Sequence, residues 1–134
     1  MALAMNRDFR AGFVAENSLS AFLDDPDCWL FAAVEEQRII GFAYGYALQR
    51  LNTDRKMLYI HEVGVQEGMQ RQGIGCQMIT KLKEACVKEN ICKMFLTCYQ
   101  NNMGANALYR KTGGETCVES QGQDTVYWFQ IPPK

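Results

Sequence analysis

The chain has 134 residues, 48% hydrophobic and 22% charged, with a net charge of −1. That length suits one compact domain over residues 1–134, the composition excludes wholesale disorder, and the balanced charge offers no basic face for nucleic acid. The longest apolar runs, such as Cys28–Val34, fall far short of the roughly 20 residues that span a bilayer, so no membrane partner is expected. Met1–Met5 is too short an apolar stretch for a secretory signal, and polar Asn6-Arg7-Asp8 follows it, which points to a cytoplasmic protein. The six cysteines, at 28, 76, 86, 92, 98 and 117, form no C-x-x-C pair, and His61 is the only histidine. Zinc spacing is absent, no metal is expected, and the cysteines read as small, reduced core residues.

Within Glu16–Leu23, apolar residues at 19, 22 and 23 suit a short amphipathic helix ended by Asp24-Asp25-Pro26. Cys28–Val34 has the composition of a buried strand, and Glu35-Glu36-Gln37 makes a turn. Arg38–Leu51 is a second strand, in which Gly41 and Gly45 mark a bulge or a close backbone approach. Met57–Val65, rich in Tyr, Ile and Val, is a third. From Gly73 to Glu89 the period turns helical: Ile74, Met78, Leu82, Ala85 and Cys86 share one stripe, and Gln77, Lys81, Glu84 and Lys88 the other face. Met94–Cys98 is another strand, and Met103–Thr112 a helix stopped by Gly113-Gly114. Glu115–Val118 and Thr125–Ile131 close the chain as a hairpin. This order predicts a mixed α/β layer, a meander followed by a β-α-β crossover.

The segment from Val63 to Gly75 is the most informative. A strand ends, a polar loop follows, and Gly73 and Gly75 open a long helix. Glycine lets backbone N–H groups turn toward a ligand, and the helix N-terminus adds roughly half a positive charge, so phosphate oxygens can be held there without lysine. A P-loop fails because Cys76-Gln77 follows Gly75, and a dinucleotide fingerprint fails because Met78 stands where glycine or alanine is needed. On the glycines alone, a tight turn that binds nothing reads equally well.

Gln70-x-x-Gly73-x-Gly75, with Arg71 inside it, resembles the signature of the GNAT acetyltransferase superfamily, and Asn102-x-x-Ala105-x-x-Leu108-Tyr109-x-Lys111-x-Gly113-Gly114 matches its second motif. With the flanking strands the resemblance covers residues 15–131. Leu58 to Val65 also resembles the strand of aminoglycoside 3-N-acetyltransferases, which carry a carboxylate where Glu62 stands. The resemblance implies a mixed, mostly antiparallel sheet with a central splayed parallel pair, flanked by helices. Superfamily members usually have a strand and two helices before the residues assigned here to Cys28–Val34. Only about one helix fits that space, so the first strand is expected to be absent or supplied otherwise.

The same resemblance implies acetyl-CoA as co-substrate, in a gap between Met57–Val65 and Met94–Cys98. The backbone of Val63 and Val65 would face its pantetheine arm, the amides of Arg71, Gln72, Gly73, Ile74, Gly75 and Cys76 its pyrophosphate, and Asn102 the cofactor arm. Tyr109 matches the tyrosine that donates a proton to the leaving thiolate; its other reading is a core aromatic. An alkyl amine arrives protonated and must lose a proton before it attacks a thioester. Glu62 is the base candidate, the alternative being a carboxylate that only attracts the cation. Some relatives place a glutamate five residues before the asparagine, but that position is Thr97. His61 is expected on the opposite face from Glu62, since side chains alternate along a strand. Cys76 and Cys98 lie near the gap without a histidine to support a covalent acyl-cysteine. The expected activity is N-acetylation of a primary amine on a small cationic acceptor, an aminoglycoside first, with polyamines or a protein amine behind it. The alternative is a non-catalytic acyl-CoA-binding module; either form is compatible with a homodimer.

Overall fold

The computed structural model describes residues 2–9, 12–116 and 124–133. Four helices, α1 (Ala2–Asp8), α2 (Glu16–Asp24), α3 (Ile74–Lys88) and α4 (Met103–Lys111), accompany six strands. The strands are β1 (Cys28–Glu35), β2 (Arg38–Leu48), β3 (Met57–Val65), β4 (Lys93–Tyr99), β5 (Glu115–Thr116) and β6 (Asp124–Gln130). They form one sheet in the order β1-β2-β3-β4-β6-β5. Among the described residues, only β3 and β4 pair in parallel. The antiparallel meander and the β3-α3-β4 crossover are as the periodicity predicts, and β5 and β6 pair as the hairpin predicts. Cys117 and Val118 lie outside the described residues; the five described cysteines are free thiols.

Two helices stand where about one was expected, and no strand precedes β1 among the described residues. The seven-residue α1 is too short to be stable from propensity alone. Tertiary contacts hold it. Met5 is buried with Ile39 and Phe42, and Phe9 and Phe13 pack edge-on or tilted against the Phe42 ring. Asn6 exchanges two hydrogen bonds with the backbone of Val14. Asp8 accepts from the Ile39 N–H at 2.8 Å and from the Arg7 guanidinium. The Arg7 hydrogen bond, seconded by the Ile39 amide, draws the Asp8 carboxyl down to about 2.

The sheet has two differently covered faces. Leu58, Ile60, Met94, Leu96, Tyr127 and Phe129 pack with Met78, Ile79 and Leu82 of α3 and Tyr109 of α4. On the other face, α1 and α2 lie over β1 and β2. The β1–β2 turn is tight, with Glu36 and Gln37 both at positive φ. Arg55 donates to the Ile91 carbonyl and Lys56 pairs with Asp27, holding the β2–β3 connection.

Candidate active site

The parallel ladder runs from Met57↔Lys93 to Ile60↔Leu96 and stops, although β3 continues to Val65 and β4 to Tyr99. Beyond that point β3 stays paired with β2, through Val63↔Ala43 and Val65↔Gly41, while β4 stays paired with β6 to Tyr99↔Asp124. The two central strands therefore part at the carboxyl end of the parallel pair, the place where open α/β sheets bind ligands.

Past Val65, Gln66 is a buried polar residue that the sequence reading overlooked. Its N–H donates to the Ile40 carbonyl at 2.9 Å and its side-chain amide to the Asp8 carbonyl at 2.7 Å, tying the loop's start to β2 and α1. Glu67–Met69 form one 3-10 turn. The Gln70 amide then reaches back to the Val65 carbonyl, and Arg71 and Gly73 take left-handed φ angles of 66° and 82°. Gly73 caps α3 and offers no side-chain oxygen. The first helical bond runs from the Gln77 N–H to the Gly73 carbonyl at 3.0 Å. The N–H groups of Ile74, Gly75 and Cys76 thus sit in the first turn, where no intrahelical acceptor exists and the dipole is positive. Arg71, Gln72 and Gly73 are exposed beside them. Gly75 has a second reason to be glycine: a Cβ there would lie 2.9 Å from a methyl of Leu108, so its bareness lets α4 approach α3.

The β2–β3 ladder shifts register between Tyr44 and Gly45: Tyr44 faces Glu62 and Gly45 faces Ile60, leaving His61 as the extra residue. Gly45 allows this bulge, since a Cβ there would collide with the Tyr59 carbonyl. The bulge overturns the expected alternation. His61 and Glu62 both meet Tyr44, the imidazole at 5.4 Å between ring centroids and the carboxylate Oε1 at 3.3 Å from the hydroxyl. His61 is also bridged through Nδ1 to the Tyr59 hydroxyl at 3.1 Å. Glu62 is half-buried on the same face as Tyr44, whose ring, like that of Tyr46, packs against Phe22 of α2.

Tyr109 lies on the opposite face, buried and 5.4 Å from the Tyr127 ring. Burial, followed by the neighbouring Cys98 and Tyr127, pushes its phenol up to about 12. Burial also raises the Cys98 thiol. Asn102 caps α4, accepting from the Ala105 N–H at 3.1 Å. Asn106, also overlooked, is buried; its amide donates to the Tyr99 and Asn102 carbonyls, and its oxygen accepts from the Tyr127 hydroxyl at 2.6 Å. That network pins the β4–α4 turn. Thr97 is exposed on β4. No cluster of metal-ligating side chains occurs among the described residues.

The architecture has close counterparts among solved structures. An aminoglycoside acetyltransferase from an uncultured soil metagenomic sample superimposes with a TM-score of 0.74 at 23% identity, covering 91% of this chain and 84% of its own. Arabidopsis thaliana NAA60 in complex with acetyl-CoA gives 0.76 at 17% identity, covering 97% and 92%. The ribosomal-protein-S18-alanine N-acetyltransferase of Escherichia coli gives 0.71 at 16%, covering 97% and 85%. At these identities the likeness concerns the fold. No curated protein matches the chain in a sequence search. The sequence model of the acetyltransferase (GNAT) family, however, matches residues 4–114, and the chain belongs to that family.

Proposed function

We propose that residues 1–134 form one domain that is an acetyl-CoA-dependent N-acetyltransferase acting on a primary amine of a small cationic acceptor. The observation that carries this reading is the end of the β3–β4 ladder at Ile60 and Leu96, with Glu62 on one face of the sheet and Tyr109 on the other. The residues suit acetyl-CoA. The first-turn amides of α3, beside Arg71 and Gln72, offer donors to pyrophosphate oxygens, and the unpaired flank of Val63–Val65 offers backbone groups to an extended arm. When bound, acetyl-CoA supplies a thioester whose carbonyl carbon accepts the amine and whose sulfur departs.

The chain's own groups handle the protons. Glu62, oriented by the Tyr44 hydroxyl, takes the proton that the ammonium must lose. Tyr109 stays protonated across the neutral range and gives its phenolic proton as charge develops on the departing sulfur. Base and acid thus approach from opposite faces of the sheet. Asn102 holds the α4 N-terminus by its cap, and its exposure leaves it within reach of the cofactor arm. The carboxylate at Glu62 suits a cationic amine, and the likeness to an aminoglycoside acetyltransferase fold makes aminoglycosides one class to test beside other amines. The test is thiol release from acetyl-CoA across a panel of amines. CoA binding without turnover on any amine would leave a non-catalytic acyl-CoA-binding module.

A further inference from the structure

A cavity of about 150 Å³ lies beneath α2 and the Phe13–Ala15 segment that leads into it, walled by Met5, Phe13, Leu19, Phe22, Leu30 and Tyr44. We propose that it selects the acceptor: a primary amine with one positive charge and a compact apolar group, of arylalkylamine type, whose apolar group fills this cavity. This rests on the N-acetyltransferase reading and favours a singly charged amine over an aminoglycoside as the acceptor.

Three observations converge. First, among the described residues the cavity's lining includes no Asp, Glu, Lys or Arg, and the lining residues with polar side chains are Ser18, Tyr44 and Tyr46. An apolar-lined cavity of roughly this size takes a benzene ring, whereas an ammonium placed there would lose its hydration uncompensated. Second, Tyr44 connects cavity and carboxylate. Its ring lines the wall, and its hydroxyl lies 3.3 Å from Glu62 Oε1. An amine at Glu62 therefore has its substituent about one phenol length from the cavity, the span of a short alkyl spacer. Third, the side chains around Tyr44 are aromatic: His61 packs against Tyr44, Tyr46 and Tyr59, and Phe22 packs on Tyr44 and Tyr46. A polycation with amines spread along its length needs several carboxylates, and these residues supply one at this point.

Calorimetry on the CoA-loaded protein tests this with 2-phenylethylamine, spermidine and kanamycin as probes, with acetyl transfer followed in parallel. Phenylethylamine is expected to bind at least about tenfold tighter than either polycation, as burial of a ring implies. Ser18 is exposed on α2 and borders the cavity, so its replacement need not disturb the core. Ser18→Trp should lower phenylethylamine affinity about tenfold or more, and Ser18→Asp should shift preference toward spermidine, both with CoA affinity retained. Tighter binding of spermidine or kanamycin by the unaltered protein, no measurable phenylethylamine binding, or a Ser18→Trp variant that binds phenylethylamine normally would each overturn the proposal. Acetyl transfer confined to polycations would overturn it while upholding the transferase reading. Selective phenylethylamine binding with no transfer to any amine would do the reverse.

Discussion

The Tyr44 hydroxyl stands 3.3 Å from Glu62 Oε1 across the β2–β3 ladder, one position beyond the bulge at His61. The contact holds the carboxylate at the end of the parallel ladder, on the side where the acceptor cavity lies. If Glu62 is the base, Glu62→Gln keeps shape and hydrogen bonding and removes proton uptake. Turnover should then fall at neutral pH by about 10²-fold or more and recover partly as pH rises toward the amine's own pKa. A raised KM with unchanged kcat at every pH would assign Glu62 to attraction of the cation alone.

Tyr109→Phe is expected to lower kcat on the order of 10²-fold while leaving acetyl-CoA affinity nearly intact. Because burial pushes the phenol up to about 12, the unaltered enzyme should show no loss of kcat from this group below about pH 11. The stability consequence has a definite sign. An unfolded tyrosine loses its proton near 10, so the folded state binds more protons between about 10 and 12. Its contribution is full below about pH 10 and declines as pH rises toward 12. Denaturant unfolding of Tyr109→Phe, compared with the unaltered chain over pH 9 to 12, should lack that decline. A difference between the two that does not change with pH would show that the phenol is unperturbed.

The two motif glycines should fail differently. Nothing lies within 4 Å of a Cβ at Gly73, but its φ of 82° strains any other residue by about 1–2 kcal/mol. Gly73→Ala should therefore fold and lose CoA affinity about tenfold or more as the cap relaxes. Gly75→Val meets Leu108 and should lower stability by about 1–3 kcal/mol, through the α3–α4 contact. Calorimetry and denaturant unfolding on both variants separate the effects. Wild-type CoA affinity in folded Gly73→Ala would remove the phosphate role from the loop.

Asp8 makes α1 sensitive to acid. Its carboxyl is held at about 2, first by the Arg7 hydrogen bond and then by the Ile39 amide. That stabilisation is present above about pH 4 and is lost as pH falls through 2. Hydrogen exchange should show α1 losing protection at acid pH before β3 and β4 do, and Asp8→Ala should loosen α1 already at neutral pH. Equal protection of α1 in both chains would show that apolar packing and the Asn6–Val14 hydrogen bonds hold it without Asp8.

Most of the secondary structure was legible because its signals are local. The helical period after Gly73, the β-rich Met57–Val65, the Gly113-Gly114 stop after α4 and the Gly73–Gly75 loop each depend on residues a few positions apart. So does the match of both motifs to the family. The placement of Glu62 was not local. The inversion of His61 onto the same tyrosine as Glu62 arises where Gly45 meets Tyr59 and Ile60, and a bulge exists only between two strands in register. The same holds for Gln66 and Asn106, polar residues in unremarkable positions until Asp8 and Tyr127 arrive as their partners. It holds also for α1, which Phe42 rather than helix propensity keeps in place. Periodicity assigns a residue to a face only while strands pair without interruption. Which side chains surround the parting of β3 and β4, and the apolar cavity beside it, follow from packing between segments far apart in the chain.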